Sequence, residues 1–150
     1  MQNLLEGIYL DTYHVALEFG FDYKQCTDLF TRFNIDFIDT RPEYIEIHSE
    51  LLDLGHVSRI VLSFCNNRIS KISITPQNGN YSIQTMFPKV HAKLAKALGA
   101  PQRRIAWQFF FYPVFFSPFI WENDRVRITH TIEDRFGQYD VITILIRGSS

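Results

Sequence analysis

A chain of 150 residues, 46% hydrophobic and 21% charged, with a net charge of −1, has the length of one domain or of two small repeats sharing a core. This composition excludes a disordered chain, and no clean run of about eighteen apolar residues marks a membrane span. The small net charge hides a segregation: residues 1–53 carry eleven acids and three bases, and residues 54–121 carry eight bases and no acid. Either the acidic and basic segments face each other or scatter over the surface, or they mark a partner surface. The start, Met1 to Gly7, has no basic region followed by an apolar run, so no signal peptide is expected and a cytoplasmic location is the default.

Residues 4–20 fit two patterns. Leu4, Leu5, Ile8, Tyr9, Tyr13 and Leu17 suit a helix, whereas Val15, Leu17 and Phe19 suit a strand. A helix is predicted to start at Asp22, which can cap the first turn while Gln25 bonds back to the cap. Phe21 and Cys26 stand where a hydrophobic staple would close, and Cys26, Leu29, Phe30 and Phe33 form the stripe. Asn34 fits the left-handed residue that ends it. Strands are predicted at 43–48, 59–64 and 68–75, with Asn66-Asn67 as a hairpin turn. Ile69 is out of phase with Ile72 and Ile74, and a bulge between them would restore one apolar face.

After a loop at Pro76–Asn80, a second helix is predicted over Met86–Leu98, with Phe87, Val90, Leu94 and Leu98 inward and Gly99 and Pro101 ending it. Lys89, Lys93 and Lys96 share its solvent face. Strands follow at 104–112, 125–132 and 139–147, with a proline-broken passage to Trp121 and a turn at Asp134–Gln138. Trp107 to Trp121 is the most unusual stretch, with nine aromatic residues in fifteen. It supplies core, or its Pro-flanked Phe115, Phe116 and Phe119 anchor a partner. The expected fold is α+β: an antiparallel sheet with helices on one face, one domain of 1–150, built as a tandem α-β-β-β pseudo-repeat over about 21–76 and 84–148.

Few residues point to chemistry. His14, His48, His56, His91 and His130 show no HxxH, HExxH or HxH spacing, and His130 reads as a packed strand residue in step with Val126, Ile128 and Ile132. Cys26 and Cys65 read as buried structural thiols without metal-ligand spacing. No nucleophile elbow, phosphate loop or dinucleotide fingerprint is present, so no catalytic residue, metal or cofactor is assigned. The acids Asp36, Asp39, Glu43, Glu46, Glu50 and Asp53 form either a solvated edge or a patch that docks a basic protein. The three lysines of the second helix could follow a phosphate backbone, but no nucleic-acid motif accompanies them.

Phe64-Cys-Asn-Asn-Arg-Ile-Ser-Lys-Ile-Ser-Ile-Thr-Pro76, Leu94-Ala-Lys-Ala-Leu-Gly-Ala-Pro101 and Asp134-Arg-Phe-Gly-Gln-Tyr-Asp140 together resemble small bacterial immunity proteins of polymorphic toxin and contact-dependent inhibition systems. The order of helix, Leu-Gly-x-Pro and Trp-bearing strand also resembles the repeats of beta-lactamase inhibitory proteins. The resemblance implies a non-enzymatic protein that blocks an enzyme by covering its active site. The expectation is therefore tight binding to a cognate toxin, with the acids of 36–53 as contact surface and the aromatic residues as a second candidate. A self-associating homodimer is the main alternative. A nucleic-acid-binding protein and an unrecognised hydrolase stand behind it, the latter requiring a polar pocket where His and carboxylate groups converge.

Overall fold

A computed structural model describes residues 4–40, 44–77, 83–103, 119–133 and 139–147. The expected strand at 104–112, most of the aromatic stretch, the loop after Pro76 and the turn at 134–138 lie outside these residues. The chain begins with a hairpin, β1 (Gly7–Leu10) and β2 (Val15–Glu18). Helix α1 (Tyr23–Arg32) follows, then β3 (Phe37–Thr40), β4 (Tyr44–Glu50), β5 (Val57–Cys65) and β6 (Arg68–Pro76). Helix α2 (Ile83–Leu98) opens the second half, with β7 (Gln102–Arg103), β8 (Phe119–Glu122), β9 (Val126–Glu133) and β10 (Tyr139–Ile146).

Eight strands form one antiparallel sheet in the order β3-β4-β5-β6-β10-β9-β8-β7. Outward from the central β6–β10 pair, one side runs β5, β4, β3 and the other β9, β8, β7. Each half is thus a helix followed by strands, the α+β order expected. In the main sheet, apart from the two-residue β7, the described strands that the sequence did not suggest are β3 and β8. Both are four residues long, too short to display a period-2 pattern.

Local signals account for the element ends. Asp22 accepts from the Gln25 N–H at 2.8 Å and the Gln25 side chain accepts from the Asp22 N–H at 2.8 Å, closing the capping box. At the other end Asn34 has φ +51°, and the N–H groups of Asn34 and Ile35 bond the carbonyls of Thr31 and Phe30. That pair of bonds is the Schellman arrangement, which satisfies carbonyls the helix leaves open. Asn66 and Asn67 both take positive φ, the requirement of a tight two-residue hairpin. The register between β5 and β6 slips after Ser63, leaving Ser70 as the extra residue, and the Ser70 hydroxyl donates to the Ser63 carbonyl at 3.2 Å. This is the bulge that brings Ile69 back into phase.

The ambiguity at 4–20 resolves as strand. Ile8 lies opposite Leu17 and Leu10 opposite Val15, all four buried, while Ala16 and Glu18 face outward. Gly7 is required there, because a Cβ would stand 2.5 Å from the Leu17 carbonyl oxygen. The hairpin is latched to the end of β4. The Asp11 N–H donates to the Glu50 carbonyl, the Glu50 N–H to the Thr12 hydroxyl, and the Asp53 N–H to the Asp11 carboxylate, all at 2.8–2.9 Å.

Hairpin and helices lie on the same face of the sheet. The inward row of Ile45, Ile47, Ile60, Leu62, Ile72, Ile74, Ile128, Ile142 and Ile144 is almost wholly buried, against Cys26 and Phe30 of α1 and Val90 and Leu94 of α2. The α2 end is tied down by the Trp121 indole N–H, which donates to the Gly99 carbonyl at 2.8 Å. Among the described residues, no helix is long and apolar enough to cross a membrane.

Candidate functional site

Alternation along each strand sends every second side chain to the face away from the helices. In register across neighbouring strands, that outer face carries Ile38, Glu46, Val61, Ser73, Thr143 and Thr129 in one row. The next row carries Tyr44, Ser63, Lys71, Leu145, Arg127 and Glu122. The surface is polar with scattered apolar residues: Ile38 is 58% exposed, Val57 41% and Leu145 39%. Ile120 and Val141 also have outward parity but are buried and stand apart from the main core. Among the described residues the open ground is therefore β3 to β6, together with Leu145 and Arg127.

At the β4 end of this face the Arg59 guanidinium bonds Glu46 at 2.6 Å, and the His48 ring lies 3.7 Å from the same carboxylate. The hydrogen bond from Arg59 holds the Glu46 carboxyl below its ordinary range, against the opposing effect of its burial. The expected acidic patch is thus not one surface. Glu46 and Glu50 share the outer face of β4; Asp36 and Asp39 are exposed at the β3 edge; Asp53 lies in the β4–β5 turn, 3.5 Å from Lys93 of α2. Acidic and basic segments do meet, at Asp53–Lys93 and Glu46–Arg59. Glu43, Phe115 and Phe116 lie outside the described residues. Phe119 faces inward, half-buried, 4.1 Å between ring centres from His91 and 6.1 Å from Phe87. It packs α2 against β8 and is turned away from the open face.

Under α2 lies a buried pair that sequence reasoning missed. His130 Nε2 is 3.1 Å from an Asp140 carboxylate oxygen, with the two side chains 0% and 2% exposed. Phe87 stacks on the His130 ring at 4.1 Å and 17°. Asp140 also borders a cavity of about 10 Å³ with His56, Ser58, Val90 and Ile142, the room of a single water. Histidine and carboxylate converge here with both side chains buried. The signal was present in the sequence as one acid at inward parity, two residues before Ile142 and four before Ile144.

The two cysteines differ. Cys26 is buried, as expected, but Cys65 is exposed, because it ends β5 with outward parity beyond the core. Desolvation, with the nearby Asp22 charge adding to it, pushes the Cys26 thiol up from 9.0 to about 12. The unfolded thiol ionises first, so this group's contribution is complete below pH 9.0 and is lost as pH rises towards 12. The slope is about 1.4 kcal/mol per pH unit. Urea denaturation across that range is expected to show a steeper fall for the native chain than for Cys26→Ala; parallel curves would contradict it. No protein-family model, curated protein or solved structure matches the chain.

Proposed function

We propose that this chain is a non-enzymatic binding protein that neutralises a cognate bacterial toxin by covering it with the outer face of the sheet. The observation that carries the reading is the one-sided packing. Both helices and the hairpin lie on one face of an eight-stranded sheet, and among the described residues nothing covers β3 to β6 on the other, where Ile38 and Val57 are exposed, with Leu145 close by on β10. A broad, rigid, mixed polar and apolar surface suits protein recognition, in which a few buried anchors supply most of the energy and surrounding charges select the partner. The order of helix and strands, like that of small immunity proteins, supplies the toxin as the class of partner.

The acids Glu46 and Glu50 are assigned to the contact. The double variant Glu46→Lys/Glu50→Lys, checked for native fold by circular dichroism, should bind the captured partner at least about tenfold more weakly, a loss of about 1.4 kcal/mol. Unchanged affinity would remove the β4 end from the contact. A mass that grows with concentration, in the absence of any partner, would instead favour the homodimer.

A further inference from the structure

The outer face has a second half of opposite charge. Lys71 projects from β6, one of the two central strands, and is exposed without an ion-pair partner among the described residues. Its neighbour in register on β10 is the exposed Leu145, and the next on β9 is Arg127. Neighbouring strands lie about 4.8 Å apart, so Lys71 and Arg127 stand about 10 Å from each other with Leu145 between them. Arg127 and Arg147 both lean on one carboxylate, Glu122, at 3.6 and 2.9 Å. Among the described residues, Lys71, Arg127 and Arg147 thus stand here with Glu122, whereas at the β4 end Glu46 and Glu50 stand with Arg59 and His48. Lys71, Leu145 and Arg127 were not singled out by the sequence, because the row joins β6 to strands β9 and β10, more than fifty residues further along the chain.

We infer that this half of the face takes an acidic strip of the same partner, a carboxylate seated on Lys71 beside an apolar side chain resting on Leu145. The inference rests on the binding reading above and adds the partner's chemistry: base opposite β4, acid opposite β6 and β9. Surfaces of two signs fix one docking orientation, since the reversed orientation sets like charges against each other.

The test uses the full chain and, as probe, the protein that the wild-type chain captures stoichiometrically from the cells that encode it, purified. Its affinity is measured for wild type, Lys71→Glu, Leu145→Ser and Lys96→Glu. The last makes the same charge change as Lys71→Glu on the solvent side of α2, behind the sheet. Lys71→Glu is expected to bind at least tenfold more weakly and Leu145→Ser several-fold more weakly, with Lys96→Glu within twofold of wild type. Wild-type affinity of Lys71→Glu, with Glu46→Lys/Glu50→Lys still impaired, overturns this inference and leaves the outer face in place. Loss only in Lys96→Glu, capture of nucleic acid alone, or no stoichiometric protein captured by wild type overturns both readings.

Discussion

Asp140→Ala is expected to cost about 3–5 kcal/mol of folding stability, because it removes one partner of a buried polar pair and strands the other. His130 is fully buried, 3.1 Å from the carboxylate, and its ring is held face to face by Phe87 at 4.1 Å. The imidazole cannot swing to water without unseating α2. Loss of the carboxylate leaves its N–H without an acceptor in an apolar layer. The double variant Asp140→Leu/His130→Phe keeps a ring against Phe87 and removes both polar groups. It should recover most of the loss, with a coupling of at least about 1 kcal/mol between the two sites. Urea denaturation of both single variants and the double measures this directly. Additive losses would mean that the pair contributes nothing as a pair.

Phe30→Ala should cost about 3–5 kcal/mol as well, by a different route. Phe30 is wholly buried at the last turn of α1, where its carbonyl accepts the Ile35 N–H, and its ring lies 5.6 Å from that of Phe37 on β3. Truncation empties the space beneath the edge of the sheet and loosens the one short strand there. Hydrogen exchange should therefore quicken in β3 more than in β9. A uniform change, or a loss below about 1 kcal/mol, would show that α1 is not seated through this ring.

Both variants act on features whose legibility in the sequence was unequal. Capping chemistry was readable because it is local: Asp22 with Gln25, Asn34, and Asn66 with Asn67 each announce a backbone state within four residues. The bulge at Ser70 was readable because Ile69 and Ile72 are three apart in a strand that needs spacings of two. The inward stripe of α2 followed from its 3.6-residue period. The hairpin at 7–18 was not decidable, since Leu4, Ile8 and Leu17 fit a helix as well. What decides is contact with distant residues, in the latch of Asp11 and Thr12 onto Glu50. Strands β3 and β8 are too short to carry a pattern, and they exist because β4 and β9 offer edges to pair with.

The candidate site was legible only in its ingredients. Glu46 and Glu50 read as acids on a strand, and the structure gives them a shared face. Nothing local shows that Arg59 neutralises the first, or that Asp53 turns to Lys93 behind it. Phe119 reads as core or as an anchor for a partner, and its ring packs against α2. Lys71, Leu145 and Arg127 are separated by more than fifty residues on one side and eighteen on the other, and only the register of β6, β10 and β9 makes them neighbours.

The open face as the binding surface is tested most directly by amide hydrogen exchange on the intact chain, with and without the protein it captures. Slowed exchange concentrated in β3 to β6 and β10, with α2 unchanged, is the result expected. Protection of α2 and its lysines, with the outer strands exchanging as in the free chain, would contradict it.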